Sequence, residues 1–351
     1  MNKRILCFLL SAVLAFSCLS VPALAEQPDT PVLPANTLSS PEGGTAAEPD
    51  TPLPEALSPQ DEAGALPEQL MLVALGDSIT AGVGLPDIRY APAAIGLDMR
   101  PNFEGYPADC YVSYLAQGLG LDRQHAINLG LPALMSGDMV ELIRDGAMSR
   151  FNQPAGTFYA YPEYQDYLRR ADVIVVQIGS NDALVPCIVA LGNASNWKSE
   201  KLVNMLITGQ YRDFSNPDTR RQFFGGLREF SLTWKEAGDT CQLLFSEMGK
   251  ICRSAYDSAS ANLSRIVAEL QVLNPDAQIV LLGYTNPVPL IPCWCSFFSK
   301  MNRAAREIAS GSTNVLYVPI PKAQTAADGH PTVKGHRYIA DQILSALADN
   351  S

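Results

Sequence analysis

The chain has 351 residues, 47% of them hydrophobic, which is long enough for one or two domains with sizeable cores. Its 36 acidic residues outnumber the 25 basic ones and give a formal net charge of −11. Because a negative surface repels phosphate backbones, this composition argues against nucleic-acid binding.

Residues 1–25 have the pattern of a secretory signal peptide. Lys3 and Arg4 precede an apolar stretch from Ile5 to Leu19, and Ala23-Leu24-Ala25 offers small residues for cleavage after Ala25. That stretch is too short for a comfortable membrane span, and no later segment has the long uncharged run of a transmembrane helix. We therefore expect a secreted, extracytoplasmic protein without a transmembrane anchor.

The signal peptide is followed by a segment of different composition, residues 26–67. It contains nine prolines with acidic and small residues, and it lacks Lys, Arg and aromatic residues. Such a segment buries too little apolar surface to offset its ordering entropy, so the sequence predicts a disordered linker. Residues 68–351 have a globular composition and are predicted to form one domain with insertions.

Cysteine usage indicates neither a metal site nor a particular disulfide pattern. Cys7 and Cys18 lie in the predicted signal peptide, which leaves six cysteines, an even number that permits disulfides in an exported protein. Cys293-Trp-Cys295 does not have the spacing of a zinc site, so no metal is expected.

Short apolar runs alternate with helix-like sequence through the globular region. The predicted strands are 70–75, 125–129, 172–178, 277–282 and 315–318. Helical spacing of apolar residues predicts helices at 110–119, 137–143 and 254–273, and a closing helix is predicted from Tyr338 onward. This alternation predicts an α/β fold with a parallel sheet covered by helices on both faces.

In such sheets the active site collects beyond the carboxyl ends of the strands. Ser78 follows the first predicted strand, and Gly179-Ser180-Asn181-Asp182 and His330 follow later ones. Each residue also has a simpler explanation: Ser78 as a helix cap, 179–182 as a tight turn and His330 as a loop residue. The coincidence of all of them at one sheet edge favours a catalytic site.

Three blocks of the sequence together resemble the SGNH (GDSL-type) esterase and lipase family. They are Gly76-Asp77-Ser78-Ile79, Gly179-Ser180-Asn181-Asp182 and Asp328-Gly329-His330-Pro331, the last one residue shorter than the Asp-x-x-His of the family. The resemblance runs from about Leu70 to Ala348. It implies a three-layer α/β/α, flavodoxin-like fold with five parallel strands.

The resemblance also implies roles for individual residues. Ser78 would be the nucleophile, His330 the general base and Asp328 the acid that orients it. The oxyanion hole would comprise Ser78, Asn181 and either Gly130 or Ala133, two positions between which the sequence does not decide. Four neighbours would support the site: Gly76, Asp77, Gly179 and Asp182.

The implied activity is serine-dependent hydrolysis of a small-molecule, lipid or glycan ester. No dinucleotide fingerprint or P-loop is present, so no nucleotide cofactor is expected. Two predicted insertions, at about 86–105 and 183–252, follow strand ends and suit either a substrate lid or ordinary helical packing. The competing function is an exported binding or adhesion module that keeps the fold without the chemistry.

Overall fold

The computed structural model describes residues 69–85, 105–149, 158–161, 163–198, 217–218, 221, 232–286, 292–326 and 329–350. The predicted signal peptide and linker, Asp328 and much of both predicted insertions lie outside these residues.

A five-stranded parallel sheet forms the centre of the fold. Its strands are β1 (Leu72–Gly76), β2 (Ala126–Gly130), β5 (Val173–Gln177), β6 (Gln278–Leu282) and β7 (Val315–Val318). They lie in the order β2-β1-β5-β6-β7, and each of the four neighbouring pairs is parallel, as the alternation of strands and helices predicts. The predicted α/β fold with five parallel strands is therefore confirmed.

Helices cover both faces of the sheet. Val73 and Leu75 of β1 pack into one hydrophobic cluster, and Leu72 and Ala74 pack into the other, because successive side chains of a strand point to opposite faces. The helices are α1 (Ser78–Ala81), α2 (Tyr111–Leu119), α3 (Ser136–Asp145), α4 (Glu163–Arg170), α5 (Ser180–Ala194), α6 (Trp234–Gln242), α7 (Met248–Leu273), α8 (Pro292–Ser310) and α9 (Val333–Asn350). Helices α2 and α9 cover one face, and α3, α4, α5, α7 and α8 cover the other. The fold therefore has three layers.

Several elements differ from the sequence-based expectation. The closing helix α9 begins at Val333 rather than Tyr338, because the Thr332 hydroxyl accepts the N–H of Gly335 at 3.2 Å and caps its first turn. A two-stranded antiparallel hairpin, β3 (Ala147–Ser149) with β4 (Phe158–Ala160), was not predicted. Helices α4, α5 and α8 were not predicted either.

The described parts of the second predicted insertion are helical at both ends. Residues 183–194 complete α5, and a π-helical turn, Leu243–Glu247, joins α6 to a helix α7 that begins six residues before the predicted start at Ser254. None of the six cysteines beyond the predicted signal peptide forms a disulfide. Within the described ranges, no helix is both long and apolar enough to cross a membrane.

Gly130, at the end of β2, lets helix α1 lie directly on the sheet. A Cβ at this position would stand 2.3 Å from the backbone nitrogen of Ala81, a distance that no side chain can occupy. Gly130 also pairs in register with Gly76, the last residue of β1. The glycine is therefore required for the position of the helix that begins with Ser78.

We expect Gly130→Ala to lower the free energy of unfolding by about 1–3 kcal/mol, the usual cost of forcing extra atoms into a packed site. Gly137→Ala is the matched control. Gly137 lies in helix α3, and a Cβ there would meet only the Asn262 amide, at 3.6 Å. Alanine is the better helix former, so the control should gain up to about 1 kcal/mol. Urea unfolding measures both values, and equal effects from the two variants would contradict this account.

Candidate active site

Ser78 lies at the turn between β1 and α1. The strand ends at Gly76, and Asp77 caps the helix by accepting the N–H of Ile79 on its Oδ1 at 2.9 Å. This cap fixes the backbone at the start of α1, so Ser78 is held at the carboxyl edge of the sheet, where its side chain is 3% exposed. No described group accepts the N–H of Ser78, since a helix start leaves its first donors unpaired.

His330 reaches Ser78 from the segment between β7 and α9. Its Nε2 lies 2.9 Å from the Ser78 Oγ, and both side chains are buried. An imidazole at this distance can take the hydroxyl proton as the oxygen attacks a carbonyl carbon. The structure thus joins two of the three residues for which the sequence predicts a catalytic role, whereas Asp328 lies outside the described residues.

The second C-terminal histidine, His336, packs in the core instead. It is fully buried on α9, where its Nδ1 accepts the N–H of Tyr111 at 3.3 Å. Its ring stacks on the Tyr111 ring at a centroid distance of 6.2 Å. His336 therefore has the surroundings of a structural residue.

The two candidate oxyanion donors, Gly130 at the end of β2 and Ala133 in the loop after it, differ in their hydrogen bonds. The N–H of Gly130 donates to the Asn128 Oδ1 at 2.9 Å and is already engaged. No described group accepts the N–H of Ala133. Ala133 has a φ of 61°, a left-handed conformation that glycine adopts more easily than alanine.

Asn181 and Asp182 lie in the first turn of helix α5 and contact the loop after β2 and the first residue of α3. The Asn181 Nδ2 donates to the Leu134 carbonyl at 2.9 Å, and its Oδ1 is buried without a hydrogen-bond partner among the described residues. The Asp182 carboxylate accepts the N–H and the hydroxyl of Ser136 at 3.0 and 2.5 Å. Gly179 precedes them with a φ of 114°, and a Cβ there would stand 3.1 Å from the Tyr284 hydroxyl.

A cavity opens beside the serine and the histidine. Its polar lining includes Ser78, Asn181 and His330, and its apolar lining comes from segments after β5, β6 and β7. The main apolar residues are Leu184, Tyr284, Phe298, Ile320 and Ala323. A small ester could place its carbonyl at the polar end with an apolar group against these side chains. Ala133 is outside this lining and adjoins it through Leu134, the residue bonded to Asn181.

The sequence does not predict the buried chain of hydrogen-bonded polar side chains that lies beneath Ser78. The Gln177 Nε2 donates to the Asp77 Oδ2 at 3.4 Å, and the Thr80 hydroxyl donates to the Gln177 Oε1 at the same distance. Thr80 also lies 2.9 Å from the Tyr111 hydroxyl, and its carbonyl accepts the Asn128 amide at 2.7 Å. The available signal was a polar residue, Gln177, at the end of an otherwise apolar strand.

Burial changes the ionisation of the Asp77 carboxyl. Desolvation is the largest effect and raises its pKa from 3.8 to about 6. The Ile79 N–H, the charge of His330 and the Gln177 amide oppose this increase, in that order. The carboxylate therefore remains ionised at neutral pH although its burial is costly.

Taken together, a hydroxyl bonded to an imidazole at the carboxyl edge of a parallel sheet defines a site suited to nucleophilic catalysis in a three-layer α/β protein. The sequence model of the GDSL-like Lipase/Acylhydrolase family matches residues 74–338. The chain belongs to this family, which confirms the resemblance seen in its three sequence blocks. Within the described ranges, no group of three or more His, Cys, Asp or Glu residues could hold a metal ion.

Solved structures of lipases and esterases are similar to this chain at low identity. The lipase Lip_vut3 from a goat rumen metagenome is 15% identical, with a TM-score of 0.45 over 79% of this chain and 97% of its own. Phospholipase A1 from Streptomyces albidoflavus NA297 is 13% identical, with a TM-score of 0.43 over 81% and 100%. A family 3 carbohydrate esterase from Clostridium thermocellum is 12% identical, with a TM-score of 0.40 over 80% and 96%. The search of curated protein sequences gives no match.

The raised pKa of Asp77 predicts a pH-dependent effect of Asp77→Asn on stability. The folded protein holds the Asp77 proton more tightly than the unfolded chain, so this stabilising contribution is complete below pH 3.8 and is lost as the pH rises through about 6. The new amide can still accept the Ile79 N–H, and Gln177 can rotate its own amide to match it. Asp77→Asn should therefore be more stable than the wild type above pH 7, by at most about 3 kcal/mol.

Chemical denaturation at pH 4 and pH 8 measures this difference in the free energy of unfolding. The advantage of the variant should shrink toward zero at pH 4, where Asp77 is protonated in the folded protein. A variant that is less stable than the wild type at pH 8 would show that the cap and the His330 charge outweigh burial.

Proposed function

We propose that the protein is an exported serine ester hydrolase that acts through a covalent acyl-enzyme. The observation that carries this proposal is the 2.9 Å contact between the Ser78 Oγ and the His330 Nε2, inside the range that matches the acylhydrolase family. Export is supported by the N-terminal sequence, with cleavage after Ala25.

The proposed reaction has two acyl-transfer steps. The Ser78 Oγ attacks the ester carbonyl carbon while its proton passes to the His330 Nε2, and the alcohol then leaves with that proton. A water molecule, deprotonated by His330, attacks the acyl group on Ser78; the bond between the acyl carbon and the Ser78 Oγ then breaks, the imidazolium returns its proton to that oxygen, and the acid is released. Asp328 is proposed to orient the His330 imidazole and to stabilise its charged form, a role supported by its place in the same family-like sequence block as the histidine.

The negative oxygen that forms in both steps needs hydrogen-bond donors. We assign the N–H groups of Ser78 and Ala133 and the Nδ2 of Asn181, which has a second hydrogen beyond the one donated to Leu134. Gly130 is left out because its N–H is bound to Asn128. Removal of one such donor typically raises the barrier by about 3 kcal/mol.

The substrate class is a carboxylic ester of a small molecule, a lipid or a glycan. The apolar side of the cavity, with Leu184, Phe298 and Ile320, suits an acyl chain or the face of a sugar ring. A series of p-nitrophenyl esters of increasing acyl length, together with acetate release from acetylated glycans, separates a lipase-like from a carbohydrate-esterase-like preference.

Covalent labelling tests the proposed nucleophile directly. A fluorophosphonate probe should label the wild-type protein and spare Ser78→Ala, which should also lose hydrolysis of p-nitrophenyl acetate. Ser113→Ala is the matched control, because Ser113 is a buried serine on α2 and should leave labelling unchanged. Full labelling of Ser78→Ala would exclude the assignment. A folded wild type that is neither labelled nor active would favour a binding or adhesion module on the same fold.

The two C-terminal histidines give a second test. His330→Ala should lower kcat for p-nitrophenyl acetate about a thousandfold or more, because the serine loses its base. His336→Ala should keep most of the kcat per folded molecule while its melting temperature falls, since it removes a fully buried ring that stacks on Tyr111. Steady-state kinetics and thermal unfolding on the same samples provide both values. An inactive His336→Ala beside an active His330→Ala would transfer the role of base to His336.

A further inference from the structure

The loop between β2 and α3, residues 131–135, is hydrogen-bonded to the rest of the site on both sides of Ala133. Before Ala133, the N–H of Leu131 donates to the Gly76 carbonyl at 2.9 Å. After it, the Leu134 carbonyl accepts the Asn181 amide at 2.9 Å. The next anchor is Ser136, which is fully buried and begins α3. The direction of the Ala133 N–H therefore depends on these contacts.

Ala133 needs such restraint because its backbone is in the left-handed region, with a φ of 61°. An alanine there relaxes toward other conformations unless the surrounding chain holds it. A rotation of this residue would change the direction of its N–H. The contacts after Ala133 thus decide whether it can serve as an oxyanion donor.

Asp182 provides the strongest of those contacts. Its two carboxylate oxygens accept the hydroxyl and the N–H of Ser136 at 2.5 and 3.0 Å, a pair of charge-assisted bonds in a buried place. Because these donors belong to the first residue of α3, the negative charge also lies at the positive end of a ten-residue helix. The Ser136 Oγ also accepts the Asn262 amide of α7 at 3.0 Å, a bond that does not involve Asp182.

We propose that Asp182 is a positioning residue of the active site, which holds the Ala133 N–H toward the oxyanion through Ser136. This inference rests on the proposed ester hydrolysis. Two adjacent residues of α5 then have different roles. Asn181 donates to the oxyanion, and Asp182 fixes the loop that supplies a neighbouring donor. Asp182 itself touches neither the serine nor the histidine.

The test compares Asp182→Asn, Ser136→Ala and Asn262→Ala on p-nitrophenyl acetate, with active sites counted by fluorophosphonate titration. Asp182→Asn should lower kcat about tenfold or more with KM within about twofold, because the loss is confined to the transition state. Ser136→Ala keeps the backbone bond to Asp182 and should lose less. Asn262→Ala is the matched control, since it removes a bond to the same hydroxyl without breaking the contact with Asp182, and it should keep kcat within about twofold.

Binding of a boronic acid, which forms an anionic adduct with an active serine, separates positioning from stability alone. Its affinity should fall in Asp182→Asn by about the same factor as kcat, and the combined Asp182→Asn and Ser136→Ala variant should be little worse than Asp182→Asn alone. Unchanged kcat and boronate affinity per titrated site, with only a lower melting temperature, would overturn the positioning role while the hydrolase assignment stands. Failure of the wild type to react with the fluorophosphonate would instead reject the hydrolase assignment itself.

Discussion

The register of the parallel sheet is the constraint on which the site depends. Gly76 at the end of β1 pairs with Gly130 of β2 on one side and with Gln177 of β5 on the other. These three strands therefore end at one level, and the segments that carry Ser78, Ala133 and Asn181 leave the sheet side by side. A slip of one residue in either pair would turn every side chain of the displaced strand to the opposite face. The backbone hydrogen bonds of the sheet therefore determine where these three segments lie relative to one another.

Several polar side chains of the site are buried. Asp77, Gln177, Thr80, Asn128 and Asp182 are all buried near the strand ends. Each has hydrogen-bond partners within the protein, which offsets the free-energy cost of removing a polar group from water. Such a network also restricts the side-chain conformations of its residues, because a residue that turns away leaves its hydrogen-bond partner unsatisfied. The polar chain thus supports the turn that carries Ser78, at some expense of stability.

Much of the fold could be predicted from the sequence because the strands are buried on both faces. Continuous apolar runs such as 173–176 are readable without knowledge of their neighbours, and every predicted strand of the sheet is present with its ends shifted by at most two residues. The resemblance of three short blocks to one family then indicated that Ser78 and His330 act together at one edge of the sheet. The resemblance could not show which backbone N–H groups are already hydrogen-bonded. Gly130 looks as suitable as Ala133 until the side chain of Asn128 is seen to occupy its donor.

The remaining differences have physical causes that do not lie in local sequence. The start of α9 depends on a Thr332 cap that competes with other turn-forming residues nearby. Helix α8 starts at Pro292, and its first turns are rich in Cys, Trp and Phe, residue types with only modest helix propensity that pack together here as Trp294, Phe297 and Phe298. The roles of Gln177 and Ser136 arise only from contacts between segments distant in the chain.

The distance along the chain between Ser78 and His330 has a consequence for how the protein folds. Their hydrogen bond spans 252 residues, and His330 precedes the last helix, α9, which packs against α2 on the same face of the sheet as Leu72 and Ala74. A contact of such long range requires the closure of a large loop, whose entropic cost the contacts that it allows must offset. Without its final segment the chain has no imidazole beside Ser78. The Ser78–His330 pair is thus complete only once the C-terminal part of the chain has packed onto the sheet.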